Sequence, residues 1–282
     1  MSVQIEAVRP ASARRTPTHN LTRTSGIGLG VTMIWFSLLV LLPLAAVVAT
    51  AAAGGWDGFW RAITNEQTAA AIRITVTAAF AVTLVNIVIG TMISWVLVRD
   101  RFPGKGLLEL VIDIPFALPT IVAGLVLLSL YGNDSPLGLH FANTKWSIYL
   151  AFLFVTLPFI VRTVQPVLEE LDREVEEAAA TLGASRRQTV FKVLLPSLAP
   201  AVLTGFALAF ARAVGEYGSV VFIAGNIPYV SEIAPLLIVI RLEEFNYAGA
   251  TAIATIMLVI SFSMLLLINL IQAWSRRRYG HV

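Results

Sequence analysis

The chain contains no cysteine, which excludes disulfide frameworks, thiolate metal sites and cysteine nucleophiles together. Histidine is almost as scarce. His19, His140 and His281 all lie outside the long apolar runs, so a histidine metal cluster within those runs is excluded as well. Charge is the third shortage: only 13% of the 282 residues are charged, whereas 57% are hydrophobic and the mean hydropathy is +0.80. That balance points to a membrane protein. No Gly-x-x-x-x-Gly-Lys-Ser/Thr phosphate loop is present, so any ATP used would be hydrolysed by another polypeptide.

A helix needs about 20 mainly apolar residues to cross a hydrocarbon core roughly 30 Å thick. Six stretches qualify, at residues 31–53, 72–98, 107–131, 146–164, 198–224 and 248–274, which predicts an all-α membrane protein with six transmembrane helices. The patch 233–240 is too short to span; Glu232, Pro235 and Arg241 mark it as a re-entrant or interfacial piece, or the start of the sixth span. Residues 49–53 resemble a signal-peptidase site, but the apolar run is too long and begins too far from Met1 for a cleaved signal. The expected organisation is a disordered tail over 1–30, a retained first span and external loop over 31–71, a five-span domain over 72–274, and a basic tail over 275–282.

Basic residues are retained on the cytoplasmic side of a membrane. Arg9, Arg14, Arg15 and Arg23 precede the first span, and Arg99, Arg101 and Lys105 follow the second. Arg162, Arg173, Arg186, Arg187 and Lys192 are assigned to the fourth connection, and Arg276, Arg277 and Arg278 to the end of the chain. Only Arg61, Arg73, Lys145 and Arg241 fall on the opposite side. Both termini and the long fourth connection are therefore expected in the cytoplasm. Clustering of this kind fits membrane orientation rather than nucleic-acid binding.

Within that connection, Leu168, Leu171, Val175, Ala178 or Ala179, and Leu182 recur at steps of three and four. This predicts an amphipathic helix over 167–182, with Glu169, Glu170, Asp172 and Glu174 near its start and Gly183 as its C-cap. Ser185 and Gln188 have the spacing of a capping box for a second short helix, and Pro196 marks the next span. A helix lying on lipid headgroups usually has a basic polar face. The acidic face here favours a protein partner. No nucleophile or metal-ligand set accompanies these acids, so the chain is not expected to be an enzyme.

Glu177, Ala178, Ala179, Gly183, Val193, Leu195 and Pro196 reproduce the EAA motif of bacterial ABC-importer permeases, with Val in place of Ile at 193. The resemblance implies the type I permease fold, in which a coupling helix from the 167–196 loop sits in a groove of a cytoplasmic ATPase. Three further segments are similar to the CysT type of sulfate/thiosulfate permease: 113–120 (DIPFALPT), 158–169 (PFIVRTVQPVLE) and 215–226 (GEYGSVVFIAGN).

What the CysT resemblance implies is a heterodimer with a W-type permease subunit, two copies of the ATP-binding subunit and an extracytoplasmic sulfate-binding protein. The chain itself would carry no cofactor; ATP and magnesium would belong to the ATPase. The expected location is the bacterial cytoplasmic membrane. A molybdate or tungstate ABC permease and a secondary anion transporter are the alternative functions, although no internal repeat supports the latter.

For the anion pathway the candidates are Pro115, Pro119, Thr120, Arg212, Gly215 and Glu216. The two prolines open backbone carbonyls, either along a path or only at a packing kink. Thr120 offers a hydroxyl. Arg212 and Glu216 are charges placed well inside the fifth predicted span, four residues apart. They form either an ion pair that fixes helix packing or a positive surface for a dianion, with Glu216 keeping Arg212 from becoming a trap. Asp113 is either a third member of that set, a helix cap or an interfacial charge.

Overall fold

The computed structural model describes residues 23–279 and contains helices without strands among them. The expectations for residues 1–22 and 280–282 lie outside the described residues. The described residues divide into two compact units, one up to residue 46 and the other from residue 47. Five helices are long and apolar enough to span a membrane: Ser25–Ala53, Glu66–Arg99, Lys145–Glu170, Arg186–Val214 and Tyr247–Trp274.

The first of these comprises α1 (Arg23–Phe36), a π turn (Ser37–Leu41) and α2 (Leu42–Ala53). Its side chains from Ile27 to Leu42 are broadly exposed. A helix apolar on all sides is suited to lipid or to another apolar chain. The short α3 (Gly55–Thr64), which the hydropathy pattern did not reveal, follows it.

In the larger unit, α7 (Lys145–Glu170) packs against both α4 (Glu66–Arg99) and α10 (Leu195–Val214). In a bilayer the hydrophobic effect gives neighbouring helices little reason to associate, so close packing and buried hydrogen bonds carry the contact. Gly90 lets α4 approach Ile160, and Gly205 lets α10 approach Thr163. Asn86 donates to Thr156 Oγ1 (2.9 Å) and to the Leu153 carbonyl (3.2 Å), tying α4 to α7 across the apolar core. Ala78, Ala79, Phe152 and Phe210 fill that core.

The third predicted span is not one continuous helix. α5 (Lys105–Ala117) and α6 (Thr120–Tyr131) meet at 116°. Leu118 and Pro119 are both extended (ψ 135°), as expected for a residue before proline and for a proline with no N–H to offer. Pro115, by contrast, lies inside α5 without ending it.

The fifth span also ends earlier than its apolar run. α10 stops at Val214 with Gly215 as its C-cap, and the single turn α11 (Gly218–Val221) replaces the expected continuation to residue 224. On its other side, α10 continues without interruption from α9 (Arg186–Thr189) through a second π turn, Val190–Leu194. The 233–240 patch is a separate helix, α12 (Ala234–Glu243), packed on α4 and on α13 (Tyr247–Tyr279). Helix α13 runs through the expected basic tail as far as Tyr279.

Candidate functional sites

The loop between α7 and α10 is a helical knob. The single amphipathic helix expected over 167–182 is interrupted: α7 continues to Glu170, Leu171 and Asp172 are extended, and α8 (Arg173–Thr181) begins anew. Leu168 therefore belongs to the core, whereas Val175 and Leu182 are exposed, Leu182 by 88%. Phe191 is exposed as well. The knob's apolar side chains are thus left uncovered.

Its ends are fixed by local hydrogen bonds. Gly183 N–H donates to the Ala180 carbonyl (2.9 Å) and Ala184 N–H to the Ala179 carbonyl (3.0 Å), the two bonds of a Schellman cap. Gly183 has φ +81°, while a Cβ there would meet nothing within 4 Å. Backbone conformation, not space, asks for glycine. Ser185 and Gln188 form the expected reciprocal box: Ser185 N–H donates to Gln188 Oε1 (2.8 Å), and Gln188 N–H donates to Ser185 Oγ (3.4 Å).

Of the motif residues, Glu177 and Ala178 are exposed and Ala179 is half-buried. Val193 and Leu195 are half-buried, and Pro196 is exposed on the continuous helix beyond the π turn. The Leu195 N–H reaches back five residues to the Val190 carbonyl. This wider turn comes immediately before Pro196, whose ring would crowd an α-helical carbonyl four residues earlier.

A tie that sequence reasoning missed joins the knob to the bundle. Arg99, the last residue of α4, donates to the Leu171 carbonyl (3.0 Å) and pairs with Glu176 (2.8 Å). Its guanidinium also lies over the Trp95 ring, 5.9 Å from the centroid. Neither spacing nor periodicity signals a pair made between α4 and α8. Glu176 and Glu177 are adjacent in sequence, but Glu176 turns to the bundle while Glu177 stays exposed.

The second region is where the break between α5 and α6 meets the turn that follows α10. Gly218 lies so close to Thr120 that a Cβ on it would come within 2.2 Å of the Thr120 hydroxyl and 2.9 Å of the Ile121 nitrogen. Likewise a Cβ on Gly124 would be 2.8 Å from the Gly218 carbonyl. The turn at Pro119 and Thr120 and the turn at 215–219 are therefore brought together, with Pro115 a turn earlier in α5.

Arg212 and Glu216 form an ion pair, but at the C-terminal end of α10 rather than well inside a span. Glu216 is only 1% exposed, and its other oxygen accepts from Ser219 N–H (2.8 Å). One carboxylate thus holds α10 and the start of α11 in register. The buried Ser219 hydroxyl has no hydrogen-bond partner among the described residues.

Asp113 does not join this pair. It faces Arg162, whose Nε donates to one of its oxygens (2.9 Å) and whose Nη2 donates to the other. Arg162 lies within α7, not in the connection to which its charge was assigned, and also donates to Gln165 (3.1 Å). A bidentate pair of this kind fixes the angle between α5 and α7 as well as their separation.

Residues 86–281 match the family of binding-protein-dependent transport system inner membrane components. The sulfate transport system permease protein CysT of Synechocystis sp. is 48% identical over 254 residues, covering 88% of this chain and 89% of that protein. Its counterpart in Escherichia coli K12 is 46% identical over 263 residues, covering 90% and 95%. Among solved structures, a chain of a bacterial alginate ABC transporter bound to its periplasmic protein superposes with a TM-score of 0.74 at 16% identity, covering 91% of this chain and 95% of that one. A chain of the MetNI methionine ABC transporter gives 0.58 at 17%, covering 73% and 94%. These likenesses show the type I ABC permease fold. The chain belongs to the binding-protein-dependent transport system inner membrane components, and within them to the CysT-type permeases.

Proposed function

We propose that this chain is the permease subunit of an ATP-driven sulfate importer, that thiosulfate shares its path, and that it forms half of the path beside a W-type permease subunit. The names of its relatives support the cargo. The observation that carries the coupling reading is the knob itself, α8 and α9 with Val175, Leu182 and Phe191 uncovered. It fits a groove in a cytoplasmic ATP-binding subunit, two copies of which would supply ATP and magnesium. An external sulfate-binding protein would deliver the anion at the other end. In this reading the knob and both termini lie in the cytoplasm.

Movement of the knob reaches α4 through Arg99 and Glu176, and α10 through the unbroken helix from Arg186. The turns at 118–120 and 215–219 line the path. Arg212 offers positive potential there, and Glu216 keeps that potential moderate so that a dianion is released. In the reconstituted complex, binding protein loaded with sulfate should stimulate ATP hydrolysis. Labelled sulfate uptake should persist when ion gradients are collapsed and ATP is intact. Loss of uptake under that condition would refute ATP-driven import. Arg212→Ala should reduce uptake per folded subunit strongly, while the unpaired Glu216 lowers subunit yield; normal uptake per folded subunit would remove Arg212 from the path.

A further inference from the structure

The end of the bundle opposite the knob holds a cavity of about 450 Å³, well within the about 300–1,000 Å³ typical of small-molecule sites. Helix α4 establishes the opposition: Thr68 in its first turn lines the cavity, whereas Arg99 at its far end holds the knob. Arg61, Asn65, Arg241, Asn246 and Gly249 also line it, and none of its lining residues is acidic.

Charge in the cavity is unevenly compensated. Arg61 is exposed, donates its Nε to the Asp57 carbonyl (3.2 Å), and makes no ion pair among the described residues. Arg241 pairs with Glu244 (2.8 Å) and donates to Gln67 (3.1 Å). Gln67 in turn donates to both oxygens of Glu232 (3.0 and 3.1 Å), which is 1% exposed. Burial pushes the Glu232 carboxyl above its ordinary range, opposed by the Gln67 bond and by Arg241. Two long helices also start here, α4 after Asn65 and α13 at Tyr247, where Asn246 accepts from Gly249 N–H (2.9 Å). Their dipoles add positive potential.

The cavity's depth in a membrane is marked by α3. Trp56 and Trp60 are exposed on it and stacked, with ring centroids 6.2 Å apart. Tryptophans of this kind sit at the level of lipid headgroups. A guanidinium at that depth is suited to a phosphate oxyanion.

We infer that this cavity binds the phosphate of an anionic phospholipid, with Arg61 as its principal charge and the tryptophans of α3 against the lipid interface. A free oxyanion has the same recognition chemistry, but it is small for this space and gains nothing from the exposed tryptophans. The inference does not depend on the cargo.

The test uses the purified complex exchanged into phosphatidylglycerol or phosphatidylcholine, with retained lipid counted by native mass spectrometry. Phosphatidylglycerol should be retained preferentially, and Arg61→Gln should lower its retention about five-fold. Arg61→Lys should keep most of it. Gly58→Leu, placed where a Cβ meets nothing within 4 Å, should lower it by filling the cavity. Arg73→Gln, exposed and outside the cavity lining, should change nothing. Unchanged retention in both Arg61→Gln and Gly58→Leu would overturn the assignment. So would equal retention of the two lipids, or labelled sulfate bound by the lipid-free complex and lost in Arg61→Gln while phosphatidylglycerol retention stays intact.

Discussion

The knob at 172–196, which separates α7 from the helix beginning at Arg186, and the paired turns at 118–120 and 215–219 are held in different ways. The knob is maintained by bonds between near neighbours, the Schellman cap at Gly183 and the box at Ser185, with one tie to Arg99. The paired turns are maintained by contact between segments far apart in sequence, through Gly218 against Thr120. A surface that must accept a partner can be shaped locally and left open. A crossing inside the bundle has only itself to pack against, and there glycine supplies close approach rather than a left-handed turn.

The largest effect should come from breaking the distant contact. Gly218→Leu inserts a side chain where even a Cβ has no room, so folded subunit recovered by size-exclusion chromatography should fall to a small fraction of normal. Near-normal recovery would mean that the two turns are not held by that approach.

Gly183→Val should behave in the opposite sense. Its positive φ imposes about 1–3 kcal/mol of strain on a β-branched residue, but the site is exposed, so subunit recovery should stay normal. Retention of the ATPase through purification should drop about ten-fold, together with uptake. Full retention would count against docking through this knob.

Ser185→Ala should have the smallest effect, about 1 kcal/mol for a lost N-cap. Amide exchange at Gln188 should quicken about five-fold while uptake remains close to normal. A large loss of uptake would show that the box has a role beyond shaping α9.

What could be read from the sequence follows the same division. Gly183, Ser185 and Gln188 act within a few residues of themselves, so their spacing was sufficient. The spans over 72–98, 146–164 and 248–274 were legible from length and apolarity, with their ends extended in the structure. The breaks were not. Pro158, Pro166 and Pro200 lie inside helices as Pro115 does, so proline alone does not identify Pro119 as the bend. The apolar run past Val214 concealed the end of α10, because α11 is packed on α6 and α7 rather than continuing a span. The pairs Arg99 with Glu176 and Asp113 with Arg162 join different helices, and nothing local announces either.

The π turn at Val190–Leu194 gives the sequence a fixed phase. An α-helix turns about 100° per residue, and the widened turn accommodates one residue more than an α-helical turn would. The extra residue is taken up within that turn, so everything after it, including Ala209 and Phe210 in the core, continues in the phase set before it. Removal of one residue from 190–194 would close the turn to regular pitch and leave the buried face of α10 against α7, whereas an added residue would swing that face about 100° away. The side chains of the turn are mixed, with Lys192 exposed and Leu194 buried, so an increase in its length, more than its composition, would alter which side of the helix is inside.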